Sequence, residues 1–262
     1  MNILKFIKIR WWSYRNWAVV YIIKKRKGKG RLSKYNFMIR RVHSLLGLVP
    51  VGIFMIVHLI LNSTVLMGDQ FGAYPYIVKI MKGGSYYINI MEIVIIALPL
   101  LFHAIYGLYI VYVARNNALQ YTYYKNWAFY VQRITALIAL VFLSWHVWVL
   151  RIASPKSADM AEQISFVIKD MHDAVSTSLG LTLYIICILA VIFHFANGIS
   201  TMSMSWGLTI GPKSQNFMTL VSLGCFALLS VLAIAILYKF SIISTDFITV
   251  DNVRLFFQGG TQ

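Results

Sequence analysis

The sequence predicts an all-α, polytopic membrane protein, and two observations predict it. Its 262 residues are 59% hydrophobic and only 12% charged, whereas soluble domains carry about 25% charged residues. Five apolar runs recur along the chain, each near the roughly 20 residues that a hydrocarbon core of about 30 Å demands of a helix. Backbone amides in lipid must be satisfied within the segment, so such runs form helices in one bundle and not strands.

The runs cover Val42 to Leu66, Ile90 to Val113, Trp127 to Leu150, Val175 to Gly198 and Phe217 to Phe240. Pro50 and Pro99 fall inside the first two and predict kinks there. The connections, such as RNNALQYTYYKN and TIGPKSQN, are short and carry Asn, Gly, Pro and charge. The longest, SPKSADMAEQISFVIKDMHD, has room for a short surface helix. Three regions follow: a basic, aromatic arm over 1–39, a five-helix membrane domain over 40–240, and an external tail over 241–262.

Orientation follows from the cations. The first 41 residues hold 13 Lys and Arg and no acid, which predicts a cytoplasmic amino terminus. On that threading the inner segments hold 17 of the 24 basic residues and the outer ones 7. WAVVYII in the arm is too short for a span and is followed by a basic block without a small-residue cleavage site. Its Trp, Tyr and cations suit an anionic lipid surface or an acidic partner surface. The net charge of +16 is thus read as topology and lipid attraction; nucleic acid binding needs a basic face on a soluble surface. Cys187 and Cys225 both lie within spans, and the absence of C-x-x-C-H excludes covalent c-type haem attachment.

The histidines carry the functional signal. His58, His103, His146 and His194 lie one apiece in the first four spans, and ionisable groups inside a bilayer face the bundle and mark function. At a rise of 1.5 Å per residue, His58 and His146 lie about 24 and 28 Å from the inner face, His103 and His194 about 15 and 6 Å. This predicts an outer layer pairing His58 with His146 and an inner layer pairing His103 with His194. Two neutral imidazoles on opposite sides of an iron porphyrin satisfy such pairs, because the apolar macrocycle replaces lipid-like side chains and iron takes the ring lone pairs. Zinc requires three or four clustered ligands, and a proton relay requires chained carboxylates, where Glu92 is the only acid in a predicted span. Two b haems fit best. Small neighbours in FHAIYG and FHFANG leave room for a flat ring near the backbone.

Five motifs, RRVHSLLGLVPVGIFMIVHL (40–59), LPLLFHAIYGLYI (98–110), NNALQYTYYKNWAFYVQRIT (116–135), SWHVW (144–148) and FHFANG (193–198), together resemble the di-haem cytochrome b anchor of succinate:quinone oxidoreductases, in the single-subunit form of Gram-positive bacteria. The resemblance spans about Arg40 to Gly198 and is weaker in the fifth helix; the first 35 or so residues lie outside it. It implies that His58, His103, His146 and His194 are the axial ligands. It also implies flavoprotein and iron–sulfur subunits docked on the cytoplasmic face, with no flavin or succinate chemistry on this chain, and a quinone, menaquinone in such organisms, reduced towards the outer haem. The location implied is the cell membrane, multi-pass. A fumarate reductase anchor running in the opposite direction is the alternative within the family. A haem-free polytopic transporter is the alternative outside it, for which paired broken helices or internal repeats are expected and none is found.

Haem propionates need cationic or hydroxyl partners at the bilayer edges. Arg40, Arg41, His43 and Ser44 are candidates for the inner haem and Arg151 for the outer. Arg133 suits a propionate or the docking surface, His43 the iron–sulfur subunit, and Asn62, Tyr86 and Glu92 the quinone; His172, in the outer loop, is expected to be solvated.

Overall fold

The computed structural model describes residues 36–68, 72–82, 86–115, 117–157, 159–244, 246 and 248–259. The chain divides into two compact units, Met1–Val42 and His43–Gln262. Described residues 36–42 of the first unit are helical, and the Arg41 guanidinium lies 4.4 Å over the Phe37 ring. The remainder of the arm expected over 1–39 lies outside the described residues.

Among the described residues, five helices are long and apolar enough to cross a membrane: α1 (Asn36–Leu66), α3 (Asn89–Val113), α4 (Tyr124–Ile152), α6 (Ser178–Ser205) and α7 (Pro212–Ile242). Three shorter ones, α2 (Tyr74–Lys82), α5 (Met160–Val175) and α8 (Val250–Gly259), lie between and after them. No strand occurs among the described residues. The protein is an all-α, multi-pass membrane protein.

Within the second unit, α6 is the central helix and packs most extensively against α4 and α7. Phe142, Tyr184, Ile192, Leu229, Ile236 and Phe240 form the core of that contact. α3 is peripheral, with no buried residue over Leu98–Val113. Its apolar surface suits lipid instead of protein.

The prolines act where the sequence places them, and the helix responds by widening. Pro50 sits in a π-helical turn, Gly47–Val51, within α1, and a second π turn, Ile93–Ala97, ends beside Pro99 in α3. Proline lacks the N–H and its ring crowds the carbonyl one turn earlier, and an i→i+5 turn takes up that mismatch without breaking the helix. The two π turns touch each other. A third, Trp148–Ile152, follows His146 in α4 and contains no proline.

Helix ends are specified by capping. Asp159 accepts from the Ala161 N–H at 2.9 Å and starts α5, and Thr177 accepts from the Gly180 N–H at 3.1 Å and starts α6. Pro212 occupies the first turn of α7, where its missing N–H costs nothing. The fourth apolar run was expected over 175–198, but α6 begins at Ser178 because Val175 still belongs to α5, and it runs on to Ser205. It ends in a Schellman turn: the Leu208 N–H reaches the Ser203 carbonyl at 2.8 Å, the Gly207 N–H reaches Met204 at 3.1 Å, and Gly207 has φ 76°.

The expected surface helix is α5, and it is more deeply engaged than a surface helix. Ile164, Ile168, Met171 and Val175 recur at helical spacing and are all buried. The expectation of a solvated His172 is wrong: it is 9% exposed and donates from Nδ1 to the Phe240 carbonyl at 2.9 Å. That carbonyl lies in the last turn of α7, where main-chain acceptors lack helical partners. α8 packs on α5, and Arg254 bonds Asp159 at 2.6 Å, holding that carboxyl below the usual range.

Replacing Gly207 by Ala forces a Cβ into left-handed backbone, so unfolding in mixed detergent micelles should show a loss of about 1–2 kcal/mol. The same change at Gly224, on whose Cβ nothing would press within 4 Å, should not reduce stability. Burial, with Lys156 and Arg151 adding, pulls the Lys82 ammonium down to about 8. The unfolded chain then binds this proton while the folded one has released it, so stability contributed by Lys82 rises between pH 8 and about 10.5. Lys82→Met should flatten that part of the pH–stability curve.

Candidate functional site

Of the four span histidines, the structure brings together His103 with His194 and His58 with His146. The first pair has ring centroids 6.0 Å apart at an interplanar angle of 83°, the second 6.1 Å at 88°. Imidazole–metal bonds are about 2.0–2.1 Å long, so two imidazoles on opposite sides of one metal put their centroids about 6 Å apart. Both pairs have that separation. No group of three or more His, Cys, Asp or Glu suited to a metal ion occurs among the described residues, so the donor sets fit a macrocycle that brings its own equatorial ligands.

The His103–His194 pair is held by main-chain acceptors. His103 donates from Nδ1 to the His43 carbonyl at 2.9 Å, and His194 donates from Nδ1 to the Gln132 carbonyl at 3.1 Å. Gln132 replies, donating from Nε2 to the His194 carbonyl at 2.9 Å and accepting at Oε1 from Asn197 at 2.8 Å. This latch joins α4 to α6. Occupying Nδ1 in this way leaves Nε2 as the lone-pair donor, which is how ligating histidines are oriented. The His43 ring lies parallel to that of His103, 4.1 Å away at 6°. Gly47, in the π turn of α1, faces the same ring: a Cβ there would sit 2.2 Å from His103 Cε1. Only glycine lets the backbone approach this closely.

The second pair lies further along the bundle. Gly47 and His58 are 11 residues apart in α1, about 16 Å of helical rise. His146 Nδ1 is 3.1 Å from the Tyr184 hydroxyl, and Phe142 tilts against the His146 ring at 5.7 Å. His58 Nδ1 is buried and has no hydrogen-bond partner. Beyond this pair, Arg151 bonds Glu92 at 2.5 Å and Asn89 at 3.0 Å. Lys82 donates to the Leu150 carbonyl at 2.6 Å and to Ser154 at 2.7 Å, and Lys156 donates to the Arg151 carbonyl at 2.6 Å. Three cations thus gather at the C-terminal end of α4, where the helix dipole favours them.

Residues 114–234 match the family described as succinate dehydrogenase/fumarate reductase transmembrane subunit. The chain is also 41% identical over 205 residues to the succinate dehydrogenase cytochrome b558 subunit of Bacillus subtilis (strain 168), an alignment covering 78% of this chain and 96% of that protein. The chain belongs to the succinate dehydrogenase/fumarate reductase transmembrane subunit family.

The remaining sequence candidates of this family member are placed as follows. Ser44 accepts at Oγ from Trp206 Nε1 at 3.3 Å, at the same end of the bundle as His43. Arg41 lies in the first unit, over Phe37. Arg133 folds back on its own helix, 3.2 Å over the Phe129 ring and 2.5 Å from the Phe129 carbonyl. Asn62 caps the His58 carbonyl at 2.6 Å. Of Tyr86 only the backbone is described.

Sequence reading missed Gln132, Asn197, Tyr184 and Met171. Gln132 and Asn197 were detectable in principle, as amides within apolar runs that need internal partners. Tyr184 and Met171 carry no such mark, since both residue types are ordinary in a membrane helix or its cover.

Proposed function

We propose that this chain anchors succinate dehydrogenase in the cell membrane and holds two b haems between a cytoplasmic iron–sulfur subunit, with its flavoprotein partner, and a membrane quinone. Menaquinone is the quinone that the resemblance implies. The observation that carries the reading is the meeting of four span histidines in two pairs with centroids 6.0 and 6.1 Å apart. In this reading His103 and His194 hold the inner haem iron, and His58 and His146 the outer. Each bound haem supplies a one-electron iron couple at a set depth in the membrane.

The chain's own residues perform four tasks. The imidazoles keep Nε2 free because the His43 and Gln132 carbonyls and the Tyr184 hydroxyl occupy Nδ1. The apolar helices exclude water. Ser44 serves a propionate at the inner edge and Arg151 one at the outer, where its guanidinium, with five N–H donors, already meets Asn89 and Glu92 through one nitrogen. The 13 cations of the first 41 residues keep the amino terminus on the cytoplasmic side. The name of the Bacillus subtilis relative favours succinate oxidation over fumarate reduction.

Pyridine haemochrome analysis of the purified chain should return two protohaems per polypeptide; colourless folded protein contradicts the reading. His103→Ala and His194→Ala should remove one haem, and His58→Ala and His146→Ala the other, with distinct α-bands lost in the two sets. Loss of the same haem by His58→Ala and His103→Ala disproves the pairing. Gly47→Ala should weaken the inner haem and spare the outer, because the atoms nearest the added carbon belong to the His103 ring. Membranes with the assembled complex should reduce a menaquinone analogue with succinate, and His58→Ala should lower that rate at least tenfold.

A further inference from the structure

We infer that Tyr184, backed by Met171, is the positioning residue of the outer iron ligand His146. The inference rests on the proposed reading of His146 as an axial ligand and extends it to residues outside the ligand set.

The four ligands are not held alike. Both inner imidazoles donate to main-chain carbonyls, at 2.9 and 3.1 Å, so their acceptors are fixed by the backbone. His58 has no partner at Nδ1. His146 alone is held by a side chain, with Tyr184 Oη 3.1 Å from Nδ1.

Proton placement then sets the direction of the whole chain of bonds. Iron at Nε2 leaves the proton on Nδ1, so His146 donates and Tyr184 accepts. The phenolic hydrogen is thereby free to point elsewhere, and Met171 Sδ lies 3.6 Å from the hydroxyl. The relay His146 N–H to Tyr184 O–H to Met171 sulfur crosses α4, α6 and α5.

Each member is immobilised. Tyr184 is 7% exposed, and its ring is met edge-on by Phe142 at 5.0 Å and by Trp145 at 6.0 Å. Met171 is 8% exposed, and its neighbour His172 ties α5 to the Phe240 carbonyl of α7. The buried α5 helix therefore bears on the outer ligand through one sulfur atom. An acceptor at Nδ1 increases the basicity of a ligating imidazole, and its loss typically costs 10–100-fold in metal affinity. Ferric iron depends on that basicity more than ferrous iron does.

The test uses membranes holding the assembled complex. Tyr184→Phe keeps the ring and removes the acceptor. It should retain both haems, leave the inner haem's spectrum unchanged, move the outer haem's low-field EPR signal, and raise the outer midpoint. A tenfold loss of ferric preference corresponds to about 59 mV for a one-electron couple. Met171→Leu, which removes only the acceptor of the phenolic hydrogen, should shift the outer signal in the same direction by less. The inference is overturned if Tyr184→Phe keeps both haems with the outer signal and midpoint of the parent. If Tyr184→Phe does not assemble, an unchanged outer signal in Met171→Leu overturns it equally. Failure of the underlying reading is separate: it appears as a parent complex without two haems, or as His146→Ala that retains both.

Discussion

An imidazole inside a bilayer has two nitrogens and no water to satisfy them, and the structure is arranged around this constraint. Leaving such polar atoms unpaired costs free energy comparable to a lost hydrogen bond for each. The bundle answers by giving Nδ1 of His103, His146 and His194 a protein partner and by bringing the rings together in pairs. Helix order, depth and tilt have to be compatible with those two meetings. Of the spans described, α3 has the least packing of its own, and His103 is its main polar tie to α1.

The π turns are part of the same solution. A regular α-helix through Gly47–Val51 would present different residues to α3, and the close approach of Gly47 to the His103 ring occurs in that widened turn. The third π turn follows His146 directly and carries Arg151 to Glu92 and Asn89 on α3. Irregular turns of this kind are rare and favour functional sites because they re-aim side chains without ending the helix. Here they adjust both ends of the histidine arrangement.

The cover beside the His58–His146 pair has a chemical consequence beyond shielding. α5 lays Ile164, Ile168, Met171 and Val175 onto the bundle, and α8 lies over α5 in turn. Its two polar commitments, His172 to Phe240 and Met171 to Tyr184, sit side by side. A helix expected only at the surface is thereby joined to the side chain that orients His146.

Five apolar runs and the lone histidines in four of them were legible in the sequence, because a bilayer imposes a length and a polarity rule that composition reports directly. Pro50 and Pro99 marked irregular places in the first two spans for the same local reason, though the π turns found there were not legible. The pairing of His58 with His146 and of His103 with His194 was legible from helical rise, since position along a span is a one-dimensional quantity. Tertiary structure alone decided which face each helix presents: the reciprocal latch of Gln132 and His194, the parallel His43 ring, the burial of His172 and the reach of Tyr184 to His146. These depend on rotation and sideways packing of helices, which residue spacing along one segment does not encode.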